Sequence, residues 1–118
     1  MKIIYIAGKY RAPCEWEIVQ NIRTAEKAAL FVWQHGAAAL CPHKNTALFG
    51  GAPGCHDEVW LKGDCEMLLR CDAVFAIDGW RDSNGARDEI DLARTNNIPV
   101  LFCYNEVIDY LLKNKESK

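Results

Sequence analysis

The sequence predicts an α/β fold: a flavodoxin- or Rossmann-like three-layer sandwich on a four- to five-stranded parallel sheet. Three observations carry this. Short apolar runs alternate with amphipathic helical stretches along the whole 118-residue chain. The apolar runs are nearly continuous, as strands covered on both faces must be. Polar, glycine-containing loops follow the first and third runs, where open sheets gather ligands. A single domain over residues 1–118 accommodates all of this.

The elements follow in order. Ile3-Ile4-Tyr5-Ile6-Ala7 is a short apolar run ended by Gly8, which predicts the first strand. From residue 15 to 34, Ile18, Ile22, Ala25, Ala29, Val32 and Trp33 recur at three-and-four spacing, the mark of an amphipathic helix. Pro13 precedes that helix and Gly36 follows it, the expected asymmetry of start and stop. A second strand is expected over 37–41, halted by Pro42. Residues 43–56 read as a long loop, a length at which pockets and lids are common. A helix over 57–70, a strand over 72–77 and a helix over 85–97 come next. A strand over 98–103 and a helix over 105–113 complete the pattern.

Composition narrows the function classes. The formal charge of −2 gives no basic excess, so binding to a nucleic acid polymer is not expected. No apolar run approaches the ~20 residues of a membrane span, so no membrane partner is expected either. The apolar start is too short for a secretory leader and is followed at once by Lys9 and Arg11, so a cytoplasmic protein is expected. Disulfides are then unlikely to be the use of its six cysteines. Cys41 and Cys103 end apolar runs and read as small buried hydrophobes. Cys41-Pro42-His43 with Cys55-His56 is the nearest approach to a metal signature, and it matches no common zinc spacing. Neither a metal nor a cofactor is expected.

The candidate chemistry gathers after the strands. Asp78-Gly79-Trp80-Arg81-Asp82-Ser83-Asn84-Gly85-Ala86-Arg87-Asp88-Glu89 runs from a strand through a polar loop into a helix. A carboxylate in the first helical turn there can point into the crevice, which makes Glu89 the first candidate for catalysis. Backbone N–H groups around Ser83, Asn84 and Gly85 suit an anion, aided by the helix dipole, and Arg11 can add a charge-assisted contact. The same residues also have a structural reading: Ser83 or Asn84 as helix cap, Gly85 as turn, Arg11 as solvated surface. Asp64 sits mid-helix among Leu61, Met67 and Leu68, a poor place for Asp unless exposed or used. Paired with Glu89 it gives the two carboxylates that glycosidic cleavage needs, although most such acids are ordinary surface groups. Asp88, Asp91 and Glu66 are expected to be just that. His43, Asn45 and Thr46 offer donors and acceptors for a base edge. Trp60, Trp80, Phe49 or Tyr10 could stack on one, with two or more of the four expected in the core.

These residues resemble the nucleoside 2-deoxyribosyltransferase superfamily, including the deoxynucleoside 5′-monophosphate N-glycosidases. The resemblance rests on Ala7-Gly8-Lys9-Tyr10-Arg11, on the run from Gly63-Asp64 to Cys71-Asp72-Ala73-Val74, and on Ser83-Asn84-Gly85-Ala86-Arg87-Asp88-Glu89. Pro42-His43-Lys44-Asn45-Thr46 is similar to a segment of small bacterial and phage domains of unknown function related to that superfamily. The likeness covers nearly the whole chain. It implies that Glu89 is the nucleophile at C1′ of the sugar and that Asp64 positions the sugar or protonates the departing base. It implies further that Gly8, Tyr10, Arg11, His43, Asn45, Ser83, Asn84, Gly85 and Arg87 bind substrate.

Ser83 stands where the transferases typically carry an Asp, and with Arg11 it favours a 5′-monophosphate. The expected activity is hydrolysis of the base–sugar bond of a (deoxy)nucleoside 5′-monophosphate, and the expected assembly a homodimer or higher homo-oligomer. Arg87 departs from the family pattern, and it either fills part of the pocket or binds phosphate itself. The alternatives are a non-catalytic nucleotide-binding module, a transferase exchanging bases, and a small Cys/His metal module.

Overall fold

A computed structural model describes residues 1–115. Four parallel strands form one sheet in the order β2-β1-β3-β4. They are β1 (Ile3–Ala7), β2 (Ala38–Leu40), β3 (Ala73–Ala76) and β4 (Val100–Leu101). The helices are α1 (Glu15–Gln34), α2 (Pro42–Asn45), α3 (Asp57–Leu68), α4 (Asn84–Thr95) and α5 (Tyr104–Lys113). A single 3-10 turn, Trp80–Asp82, stands between β3 and α4. This is the expected α/β architecture, with four strands.

Side-chain alternation along β1 sorts the core into two layers. Ile4 and Ile6 pack with Ala25, Ala28, Ala29 and Val32 of α1 and with Val107 of α5. Tyr5 and Ala7 face the other way, among Leu68 of α3 and Ala93 of α4. The three alanines of α1 expose almost nothing and leave room for the helix to lie close on the sheet. β1 pairs on one side with β2, from Ile3 opposite Ala38, and on the other with β3, from Ile4 opposite Ala73. The chain therefore changes its direction of travel across the sheet between β1 and β3. A crevice opens outside the carboxyl ends of strands at such a point.

Several expectations are corrected in detail. The strands are shorter than their apolar runs, most of all the last, where β4 holds two residues. Pairing ends there because Phe102 N–H donates to the Glu106 carboxylate at 2.9 Å, and the chain turns into α5. Cys103 is exposed as the residue preceding α5, not buried at a strand end. Trp33 lies half in solvent despite its helical spacing, because it falls on the outward side of α1. The expected loop after β2 begins with the short helix α2, which Pro42 opens from a position where its missing N–H costs nothing. None of Tyr10, Phe49, Trp60 and Trp80 is fully buried. Phe49 is half exposed and packs on Trp60 with ring centroids 5.7 Å apart.

Candidate functional site

The polar centre of the molecule is assembled from three elements on the α3/α4 side of the sheet. β1 contributes Tyr5, whose side chain is fully buried. Its O–H donates to Glu89 Oε2, across 84 residues of sequence. α4 contributes Glu89 from its second turn, since the helix begins at Asn84. That corrects the first-turn placement expected above. α3 contributes Asp64, close enough to Glu89 to raise its proton affinity.

Burial governs the electrostatics. The Glu89 carboxyl is pushed up to about 7, first by burial, with the Asp64 and Asp88 charges adding and the Tyr5 hydrogen bond opposing. Asp64 is pushed up to about 6 by burial alone. The asymmetry has a simple origin. Asp64 loses its proton first, while Glu89 is still neutral, so it meets no neighbouring charge. Glu89 ionises second, against an Asp64 that is already negative. The Tyr5 hydroxyl is driven upward by burial and by the charge of Glu89, so it keeps its proton and remains a donor.

Two carboxyl groups that exchange protons near neutrality, one held by a permanent donor, can perform acid–base or nucleophilic work. Tyr5 is the member of this centre that the sequence alone did not single out. A tyrosine inside a five-residue apolar strand was the available signal, because a buried phenol needs a partner.

The loop before α4 is held from within. Ser83 caps the helix, its Oγ accepting from Ala86 N–H at 3.1 Å. The hydroxyl hydrogen remains available to an acceptor. Arg87 donates to the Arg81 carbonyl at 2.6 Å and to Asn84 Oδ1, so its guanidinium braces the turn. Gly85 is exposed, and a Cβ there would meet only Ser83 Oγ, at 3.9 Å.

The loop after β1 is held from below and from the side. A Cβ on Gly8 would lie 2.4 Å from Ile77 Cγ1, so glycine is required by packing against β3's end. His43, 5 % exposed, places Nε2 2.9 Å from the Lys9 carbonyl. Because a carbonyl only accepts, that nitrogen carries the hydrogen, and Nδ1 is left as a buried acceptor with no partner. Burial also lowers the proton affinity of the ring, keeping it neutral. Tyr10 lies with its ring 5.7 Å from that of His43, and its hydroxyl reaches the Ala47 carbonyl at 3.5 Å. Arg11 pairs with Asp57 at the start of α3, 2.6 Å away and largely in solvent. Asn45 is exposed and approaches Met67 Sδ at 3.8 Å.

The structure thus joins Glu89, Asp64 and Tyr5 in one centre. Ser83, Asn84, Gly85 and Arg87 form the loop that leads into α4. Gly8, Tyr10 and His43 are joined through the loop after β1, with Arg11 bridging to α3. Among the described residues no three His, Cys, Asp or Glu side chains come together as a metal site. No described helix is long and apolar enough to cross a membrane.

The chain belongs to the family of the Domain of unknown function (DUF7768), whose model matches residues 2–103. No curated protein matches the sequence significantly. Among solved structures, the fold is similar to that of a 2-deoxyribosyltransferase from Bacillus psychrosaccharolyticus. The TM-score is 0.66 at 20 % identity, covering 92 % of this chain and 91 % of that one. It is also similar to a conserved protein from Enterococcus faecalis V583, with a TM-score of 0.60 at 20 % identity, covering 98 % of this chain and 76 % of the other.

Proposed function

We propose that this domain cleaves the N-glycosidic bond of a nucleoside 5′-monophosphate, with Glu89 as nucleophile and Asp64 as acid and then base. The observation that carries the reading is the Tyr5–Glu89–Asp64 centre, whose two carboxyls have separate proton affinities near neutrality. In the minor of the two singly ionised forms, with Glu89 charged and the proton on Asp64, Glu89 attacks C1′ of the sugar as the C1′–N bond breaks, and the base leaves with the bonding pair. Asp64 delivers the proton that the base needs. Water then adds at C1′ of the glycosyl ester, its proton passes to Asp64, and the Glu89 carboxylate is released.

Tyr5 donates to Glu89 in its charged form and so favours the ionised nucleophile. The Ser83 hydroxyl, free to donate, suits a 5′-phosphate where an acidic side chain would repel it, and Arg11, now paired with Asp57, is assigned the second contact by exchange of that exposed partner.

The likeness of fold to a 2-deoxyribosyltransferase favours a second reading, in which an incoming base replaces water. A panel of ribo- and deoxyribonucleoside 5′-monophosphates, assayed for free base by chromatography, tests the first. Release that disappears in Glu89→Ala supports it, and no release from any member refutes it. Adding acceptor bases to the same panel tests the second, since exchange with little net hydrolysis is its signature. The reading includes a homodimer, which the outward Trp16, Val19, Leu30 and Trp33 on one side of α1 suit. A monomeric mass in sedimentation at micromolar concentration would remove that element.

A further inference from the structure

A second polar feature lies apart from the crevice, at the open edge of the sheet. Four side chains form a ladder there. The Arg81 guanidinium lies over the Trp80 ring, 4.8 Å from its centroid. Trp80 packs on Phe102 with centroids 5.6 Å apart. The Arg94 guanidinium lies over the Phe102 ring at 5.6 Å. Trp80 and Arg81 come from the turn after β3, Arg94 from the last turn of α4, and Phe102 from the residue after β4. Beside the ladder is a surface cavity of about 360 Å³, lined by Arg94, Phe102, Val100, Pro99, Ile98 and Asn97.

The ladder leaves its charges unused. Neither guanidinium makes a side-chain hydrogen bond or ion pair among the described residues, although Asp82 and Asp91 lie on the same elements. A guanidinium over a ring leaves its N–H groups free for other partners. Such a fork binds phosphate in two places at once. Its free face, like the ring beneath it, accepts a planar heterocycle. Phosphate chemistry and base chemistry are therefore both present, next to a hollow of single-nucleotide size. The overall negative charge disfavours a long polyanion.

We propose that this edge is a second ligand site, for a free nucleoside phosphate, with Arg94 holding the phosphate and the base seated in the cavity against Phe102. It does not depend on the reaction proposed for the crevice. Arg87, which donates to the Arg81 carbonyl, ties the site to the loop that leads to Glu89.

The test is a titration of the full chain with adenosine 5′-monophosphate at low salt, followed by amide NMR shifts. The proposal requires saturable shifts across residues 97–102. It also requires affinity there to weaken roughly ten- to a hundredfold in Arg94→Ala. Arg94→Lys, which keeps the charge and loses the fork, serves if the alanine variant fails to fold, and an intermediate weakening is required of it.

Shifts confined to residues 8–11 and 83–89 would overturn the proposal and leave the crevice reading intact. Equal saturation by inorganic phosphate would overturn the nucleoside part, and tighter binding of an oligothymidylate the restriction to a single nucleotide. Shifts at 97–102 without base release in the chromatographic assay would uphold this site while refuting the glycosidase.

Discussion

Replacing Glu89 by Gln should stabilise the protein in alkaline solution and leave it nearly unchanged in acid. Glu89 has its carboxyl pushed up from 4.5 to about 7. The folded chain therefore binds that proton more tightly than the unfolded chain does. The associated stability is complete below pH 4.5 and is lost as pH rises through 7. At about 1.4 kcal/mol per pH unit, the ionised carboxylate costs the native state about 3 kcal/mol by pH 8.5. Gln keeps the shape and an oxygen for the Tyr5 hydroxyl, but carries no charge to desolvate. Scanning calorimetry of both proteins at pH 5 and pH 8.5 reads the difference. For a domain of this size the midpoint of Glu89→Gln should rise by roughly 10 °C at pH 8.5, with a change of about 3 °C at pH 5. Asp64 titrates in both proteins and cancels from the comparison to first order. Equal shifts at the two pH values, or a lower midpoint at pH 8.5, would refute the placement of an ionisable Glu89 in this buried centre.

The remaining predictions concern the reaction and the loops. Turnover should follow a bell in pH, with limbs near 6 and 7, if Asp64 must be protonated while Glu89 is ionised. A profile that only rises through 7 would make Asp64 a positioning residue. Tyr5→Phe should move the Glu89 limb upward and reduce kcat/KM about ten- to a hundredfold, the worth of a hydrogen bond to a charged group; an unshifted limb would remove Tyr5 from the mechanism. Gly8→Ala should cost about 1–3 kcal/mol through the collision with Ile77, recovered in part by Ile77→Val, as thermal midpoints would show. Arg11→Ala breaks an exposed pair and should change stability by less than about 1 kcal/mol. Its effect should appear instead as a larger rise in KM for the 5′-monophosphate than for the unphosphorylated nucleoside, and equal effects on the two would exclude a phosphate contact.

The parts of this molecule that were legible in its sequence are those fixed by local rules. The bounds of α1 follow from Pro13, Gly36 and the Ala25–Ala29–Val32 spacing, and β1 ends where Gly8 interrupts its apolar run. Ser83 was legible as a cap because a hydroxyl before a helix satisfies an orphan N–H. Distant partnerships were not legible. Nothing local to Arg87 points to the Arg81 carbonyl, and nothing local to Arg11 points to Asp57, 46 residues away. β4 was overestimated because an apolar run reports burial and not pairing. Ile98 and Phe102 are half-buried yet unpaired in the ladder. Tyr5 reads as one more core residue until the fold brings Glu89 to it.

That phenol has a further consequence. The deepest layer of the core and the proposed nucleophile share one hydrogen bond, so robustness and the proposed chemistry draw on the same position. A population of this domain selected for heat resistance at alkaline pH, without its substrate, should lose Glu89 before it loses any residue of α1. The easiest gain in durability lies at the proposed site, and on that proposal only continued use of Glu89 keeps the weaker version.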